Sequence, residues 1–135
     1  MKKFELTKDM VTMGGTFYPK DYLFILFPDA LAAEEVAREV DAGREGEEEA
    51  MLLDPQTILS EIGHVNGQSD AIPLPSVGTE GATVVKYVDL ARQGHHAVMV
   101  KIKSDEDAEQ VMTSARKFFF SYGQRYHLLA MEDLK

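Results

Sequence analysis

The 135-residue sequence contains no cysteine and no tryptophan. Without cysteine there is no disulfide, no thiolate metal ligand and no cysteine nucleophile, a composition that fits a reducing compartment. No uninterrupted apolar stretch reaches the 18 residues that a membrane-spanning helix needs. The start, Met1-Lys2-Lys3-Phe4-Glu5-Leu6, continues into polar residues instead of a signal-type apolar core. A cytoplasmic protein without a membrane partner is the expectation. Positive charge is also scarce: 14 Lys and Arg stand against 23 Asp and Glu, a formal net charge of -9. Long-range electrostatics then oppose binding to phosphate backbones, and no basic stripe with interleaved aromatics offsets this, so nucleic acid is not an expected partner. No G-x-G-x-x-G or G-x-x-x-x-G-K-[ST] loop, H-E-x-x-H pair or G-x-S-x-G elbow occurs, and no cofactor is assigned.

What is present reads as one domain, residues 1–135, with 44% hydrophobic residues to fill a core. Residues 1–20 form an N-terminal arm or an extra strand. Tyr22 to Phe27 is the first strong strand, and it is apolar on both alternating faces, so both need a cover. Asp29 caps a helix carrying Ala33, Val36, Ala37 and Val40 on one stripe. A short strand follows near residues 49–53, and Asp54-Pro55 starts a helix with Ile58, Leu59 and Ile62 facing inward. Gly63 to Gly78 reads as a long surface loop, either a lid or contact loop or a passive crossover. A helix spans Thr79 to Gln93 with Val84, Val85, Val88 and Ala91 inward, and Gly94 ends it. Ala97 to Lys103 is a strand. Ser104 caps the last helix, which holds Ala108, Val111, Met112, Ala115 and Phe119 at helical spacing. Arg125 to Met131 is read as the last strand.

A 75-residue shift lays Ile25 on Val100, Phe27 on Ile102, Asp29 on Ser104, Ala33 on Ala108, Glu34 on Glu109 and Val36 on Val111. Strand period, cap and helix stripe are kept together. The pattern predicts an α+β fold with a ferredoxin-like antiparallel sheet built from two βαβ halves, with additional helices near 55–62 and 79–93. The two repeated helices can cover only one sheet face. The second face of the first strand, Tyr22, Phe24 and Leu26, is therefore expected to be buried by a homodimer contact, with the arm or the 63–78 loop as the intramolecular alternative.

Residues 81–100 (GATVVKYVDLARQGHHAVMV), with Ser104-Asp105-Glu106-Asp107-Ala108 and the run from Phe120 to His127 (FSYGQRYH), resemble small uncharacterised bacterial domains, including some labelled general stress proteins. The resemblance covers roughly residues 79–133. It implies a compact α+β fold and transfers no active residue.

Four histidines, His64, His95, His96 and His127, are the candidate proton carriers or metal ligands. Adjacent His95 and His96 project in different directions if both lie in a strand, which disfavours a His95/His96/His127 metal site. A triad of Ser121, His127 and an acid such as Asp133 is disfavoured because residue identity alone does not make one. The cluster Tyr122, Arg125, Tyr126 and His127 combines a guanidinium fork, phenols and an imidazole at an element boundary, chemistry that holds a small anionic or aromatic ligand. His95 and His96 are weaker contributors. A small pocket containing Arg125 and at least one of Tyr122 or His127 is expected, in a ligand-binding or regulatory protein. The alternative is a homomeric structural or interaction module without catalysis.

Overall fold

The computed structural model describes residues 1–12, 15–45, 47–63, 79–128 and 130–135, with backbone alone at 79 and 80. The loop expected at 63–78 and His64 lie outside them, apart from Gly63. The fold is mixed α+β. Its six strands are β1 (Lys2–Lys3), β2 (Tyr22–Phe27), β3 (Met51–Leu53), β4 (His96–Lys101), β5 (Tyr122–Tyr126) and β6 (Met131–Asp133). Among the described residues four α-helices accompany them: α1 (Ala30–Ala42), α2 (Pro55–Thr57, running on as a π-helical turn to Gly63), α3 (Thr79–Arg92) and α4 (Asp105–Lys117).

The strand order is β1-β3-β4-β2-β5-β6. Every neighbouring pair is antiparallel except β1 with β3, which is parallel. The expectation of a purely antiparallel sheet is thereby corrected. The arm supplies an edge strand, held where the Lys2 N–H donates to the Ala50 carbonyl at 2.8 Å, and β6 extends the opposite edge. Neither edge strand exceeds three residues, so neither carries enough alternation to be read from sequence.

β2 lies at the centre because both of its faces are apolar. Leu23, Ile25 and Phe27 pack with Val98, Val100 and Ile102 against α1 and α4. Phe24 and Leu26 point the other way, and there the single-face cover assumed from sequence fails. Phe4, Met10 and Phe17 of the arm, Ile58 and Ile62 of the α2 turn, and Val84, Tyr87, Val88 and Ala91 of α3 fill that face within one chain. Phe17, Phe24 and Leu26 are each 0% exposed. Each such side chain contributes about 1.5–3 kcal/mol on burial, enough to order an arm that has little regular structure. A homodimer built on Tyr22, Phe24 and Leu26 would have to displace this core, so any dimer uses another surface.

The helix starts follow their caps. Asp29 Oδ1 accepts from the Ala32 N–H at 2.8 Å, Asp54 Oδ1 from Thr57 at 2.8 Å, and Ser104 Oγ from Asp107 at 3.0 Å. Hydrogen bonds from Thr57, chiefly its backbone N–H, hold the Asp54 carboxyl below its ordinary value. Asp107 is too short to return to the Ser104 N–H as a capping-box Glu would. It accepts instead from Lys103 N at 2.9 Å and binds both its oxygens to Arg44 Nη2 at 2.8 and 2.9 Å.

The two halves meet on an internal twofold. Phe24 pairs with Met99, its own mate under the 75-residue shift, and Ser114 Oγ donates to Glu39, again its mate, at 2.8 Å. The axis thus passes through the β2–β4 ladder and between α1 and α4.

Candidate functional site

The strand expected at Arg125–Met131 sits earlier, at Tyr122–Tyr126, and β6 follows at Met131–Asp133, with the His127 N–H donating to the Ala130 carbonyl at 2.8 Å. Gly123 explains the displacement. A Cβ there would lie 2.7 Å from Leu134 Cδ1 and 2.9 Å from the Phe24 carbonyl oxygen, so the strand runs through a place where only hydrogen fits. A glycine and two polar residues, Gln124 and Arg125, hide the apolar alternation.

Strand alternation separates the four residues expected to cluster. Tyr122, Gln124 and Tyr126 face α3 and the arm, whereas Arg125 faces α4. The buried Tyr126 meets Tyr87 hydroxyl to hydroxyl at 2.7 Å, and its ring stands edge-on to Tyr18 at 4.9 Å. Tyr87 stacks on Phe24 with ring centres 4.2 Å apart and meets Tyr122 edge-on at 6.0 Å. Burial, reinforced by Tyr126, pushes the Tyr87 phenol well above its usual value. These tyrosines form the polar centre of a core. Tyr122 therefore lies on the opposite face of β5 from Arg125, whereas Tyr126, whose ring belongs to this core, also lines a recess with Arg125 and His127.

Arg125 and His127 do share a recess. A groove of about 770 Å³ runs between α4 and the β5–β6 hairpin, lined by Asp105, Met112, Arg116, Arg125, His127 and Glu132 among others. A second recess of about 320 Å³ reaches Arg125 and His127 from the side of Asp21, Lys103 and Ser104. Arg125 Nη2 contacts Asp105 Oδ1 at 2.8 Å. The Arg125 side chain is only 18% exposed, whereas Asp105 is 93% exposed. His127 Nε2 lies 2.9 Å from Glu132 Oε1, and the His127 carbonyl accepts from the Tyr18 hydroxyl at 2.6 Å. Arg116 binds Glu109 at 2.7 Å, and this contact lowers the carboxyl below its ordinary range. The rim thus carries Glu109, Glu132 and Asp133 together with Arg116, which pairs with Glu109, and Lys135, while the floor carries the Arg125 guanidinium.

The other two histidines lie at the opposite end of the sheet, where β4 begins. His95 Nδ1 faces the Leu90 carbonyl at 3.1 Å and its Nε2 faces Ser121 Oγ at 2.9 Å. His96 Nδ1 lies 3.2 Å from the Gly94 carbonyl, and its side chain lines a separate groove of about 440 Å³ with Leu52 and Asp54. β5 runs its full length between Ser121 and His127, so His95 and His96 do not reach the Arg125 groove. Among the described residues no three of His, Asp and Glu are placed to hold a metal ion. No helix among them is long and apolar enough to cross a membrane. Sequence reasoning missed Arg116 and Glu132 as groove residues and Ser121 as the partner of His95. Only the sheet register brings these together. No family model, curated protein or solved structure matches the chain.

Proposed function

We propose that this chain is a small-ligand-binding or regulatory module that holds a small anionic ligand in the groove between α4 and the β5–β6 hairpin. Arg125 is the recognition group. The observation that carries this reading is the mismatch within its ion pair: among the described residues a nearly buried guanidinium is matched by the well-solvated Asp105. An exposed ion pair contributes about 0–1 kcal/mol, so a ligand carboxylate or phosphate that takes two parallel hydrogen bonds from the fork displaces Asp105 at little cost. Glu132 and Asp133 at the rim favour a small ligand that also donates hydrogen bonds.

Titration of the protein with benzoate and with inorganic phosphate, followed by amide chemical shifts, tests the reading. Shifts should map to residues 104–108 and 123–132, vanish in Arg125→Ala, and saturate at lower concentration in Asp105→Asn, which removes the competing carboxylate. Unchanged binding in a folded Arg125→Ala variant refutes it.

We further propose that the centre of the sheet is ferredoxin-like. The order β3-β4-β2-β5 with antiparallel neighbours, and two repeated helices on one face, supports a ferredoxin-like centre. A bacterial, stress-related and cytoplasmic setting rests on the resemblance and composition described above. A second reading, a homomeric interaction module without catalysis, is favoured by the exposed Leu31, Phe119 and Leu128. Sedimentation equilibrium over a range of concentrations decides it, since a persistent monomer removes it.

A further inference from the structure

We propose that Ser121 and His95 form a nucleophile–base pair that accepts acyl groups from small activated esters, at a site separate from the Arg125 groove. The pair is assembled by β2. Phe27 pairs with His96 and Leu26 with Tyr122, so the residues just before β4 and β5, His95 and Ser121, meet at the end of the central strand. The Ser121 N–H donates to the Leu26 carbonyl at 2.8 Å and the His95 N–H to the Leu90 carbonyl at 3.0 Å, which fixes both backbones.

The ring contacts determine where the proton resides. A carbonyl oxygen only accepts, so the 3.1 Å contact with Leu90, whose oxygen also takes the Gln93 and His95 N–H groups, is satisfied by the tautomer with a hydrogen on His95 Nδ1. In the neutral ring Nε2 then carries the lone pair, 2.9 Å from Ser121 Oγ. This is the arrangement that a general base needs to take a hydroxyl proton, with the Leu90 carbonyl as the orienting third group. A neutral carbonyl stabilises the imidazolium less than a carboxylate does, so acylation is slow. Ser121 is exposed, and Phe119, two residues before it, sits at φ +57 in the left-handed region with 82% of its surface exposed. Such backbone is costly for an aromatic residue and tends to collect where a turn presents a functional group. Leu31 in the first turn of α1, which follows β2, is exposed at the same end and offers a second apolar surface for an ester.

The chemistry closes without a further reagent. Ser121 Oγ attacks the ester carbonyl carbon while its proton passes to His95 Nε2 and the carbonyl π pair moves to oxygen. Collapse breaks the bond to the leaving alcohol, which departs with the proton from Nε2, leaving acyl-Ser121. Water, deprotonated by Nε2, then releases the carboxylic acid and restores the serine.

The test uses the full chain with a fluorophosphonate probe and with p-nitrophenyl acetate, read by intact mass and peptide mapping. The expected result is a single adduct on Ser121. Ser121→Ala should lose that adduct, and His95→Ala, folded by circular dichroism, should slow it roughly 100-fold. His96→Ala should leave the rate unchanged. No adduct on Ser121, or equal rates in parent and His95→Ala, overturns the proposal. Should His95→Ala not fold, His95→Asn and His95→Gln take its place, and a rate equal to the parent's in either folded variant overturns it.

Discussion

Replacing Phe24 by alanine tests whether the second face of β2 is core or contact surface. Phe24 is 0% exposed, stacks on Tyr87 at 4.2 Å and takes the edge of Phe17 at 5.8 Å. Removing a fully buried aromatic ring costs about 3–5 kcal/mol through lost transfer energy and the cavity left behind. Against a total stability of about 5–15 kcal/mol this is a large share. With a urea m-value of about 2 kcal/mol/M, the unfolding midpoint should fall by roughly 1.5–2.5 M, measured by circular dichroism. The loss should be independent of protein concentration, because the ring's neighbours belong to the same chain. A folded Phe24→Ala protein within about 1 kcal/mol of the parent, or a loss that grows on dilution, would refute the core assignment. Phe24→Asp should not yield a folded monomer, since an unpaired carboxylate would stand in that core.

Two further outcomes follow from buried polar groups. Asp41 is buried and its Oδ1 accepts from the Glu49 and Ala50 N–H groups, both at 2.9 Å, so Asp41→Ala should cost about 3 kcal/mol and Asp41→Asn, which keeps an acceptor, about half that. Equal urea midpoints for Asp41→Ala and the parent would show that water replaces the carboxylate. Burial raises the Tyr87 phenol, so the folded state retains a proton that the unfolded chain gives up near pH 10. The associated stability is whole below about pH 10 and lost as pH rises towards the folded value. Tyr87→Phe should flatten that alkaline loss at a neutral-pH cost of about 1 kcal/mol, and an unchanged alkaline limb in urea melts at successive pH values would count against Tyr87 as its source.

What was legible in the sequence was what repeats or alternates. β2 is apolar on every residue, its helix follows a capping Asp29, and the same device recurs at Ser104, so both halves and the α1/α4 layer could be placed. The opposite layer resisted because Phe4, Met10 and Phe17 are spaced by six and seven residues along a chain with no helical or strand period, and three aromatic or long side chains so spaced do not announce a shared face. Tyr87 was hidden similarly: on α3 it lies between valines that already satisfy a stripe, and its hydroxyl finds a partner only because Tyr126 belongs to β5. The site was half legible. Arg125 and His127 were identified by chemistry, but the separation of Arg125 from Tyr122 depends on β5 beginning at a glycine-bearing polar segment. Ser121 and His95 are 26 positions apart and meet through β2 alone, a relation carried by register and not by local pattern.

The internal twofold relates the Arg125 groove to a counterpart that differs from it in side chains and charge. Leu23 pairs with Arg125, and Val98, the mate of Leu23, pairs with Leu52, so Leu52 occupies in the first half the place of Arg125 in the second. The groove of about 440 Å³ at Leu52 accordingly holds Ala30, Ala33 and Glu34, the mates of Asp105, Ala108 and Glu109. The scaffold has thus made the recess twice. Its contents differ where the repeat carries no constraint: the Arg125–Asp105 ion pair is replaced by Leu52 and Ala30. The outer strands reverse charge as well, since Glu132 pairs beside Arg125 whereas Lys3 pairs beside Leu52. β1 runs parallel to its neighbour and β6 antiparallel, so these edges are separate additions to a duplicated centre and not copies of one another. Groove shape therefore follows from the repeated strand–cap–helix unit, which side-chain volume and hydrogen bonding hold constant. Groove charge is set by one position on each inner strand and by the two edge strands, which are free to differ. Under the function proposed above, the Arg125 fork beside Glu132 would orient an anion that also donates hydrogen bonds, and the lysine-edged counterpart lacks such a fork.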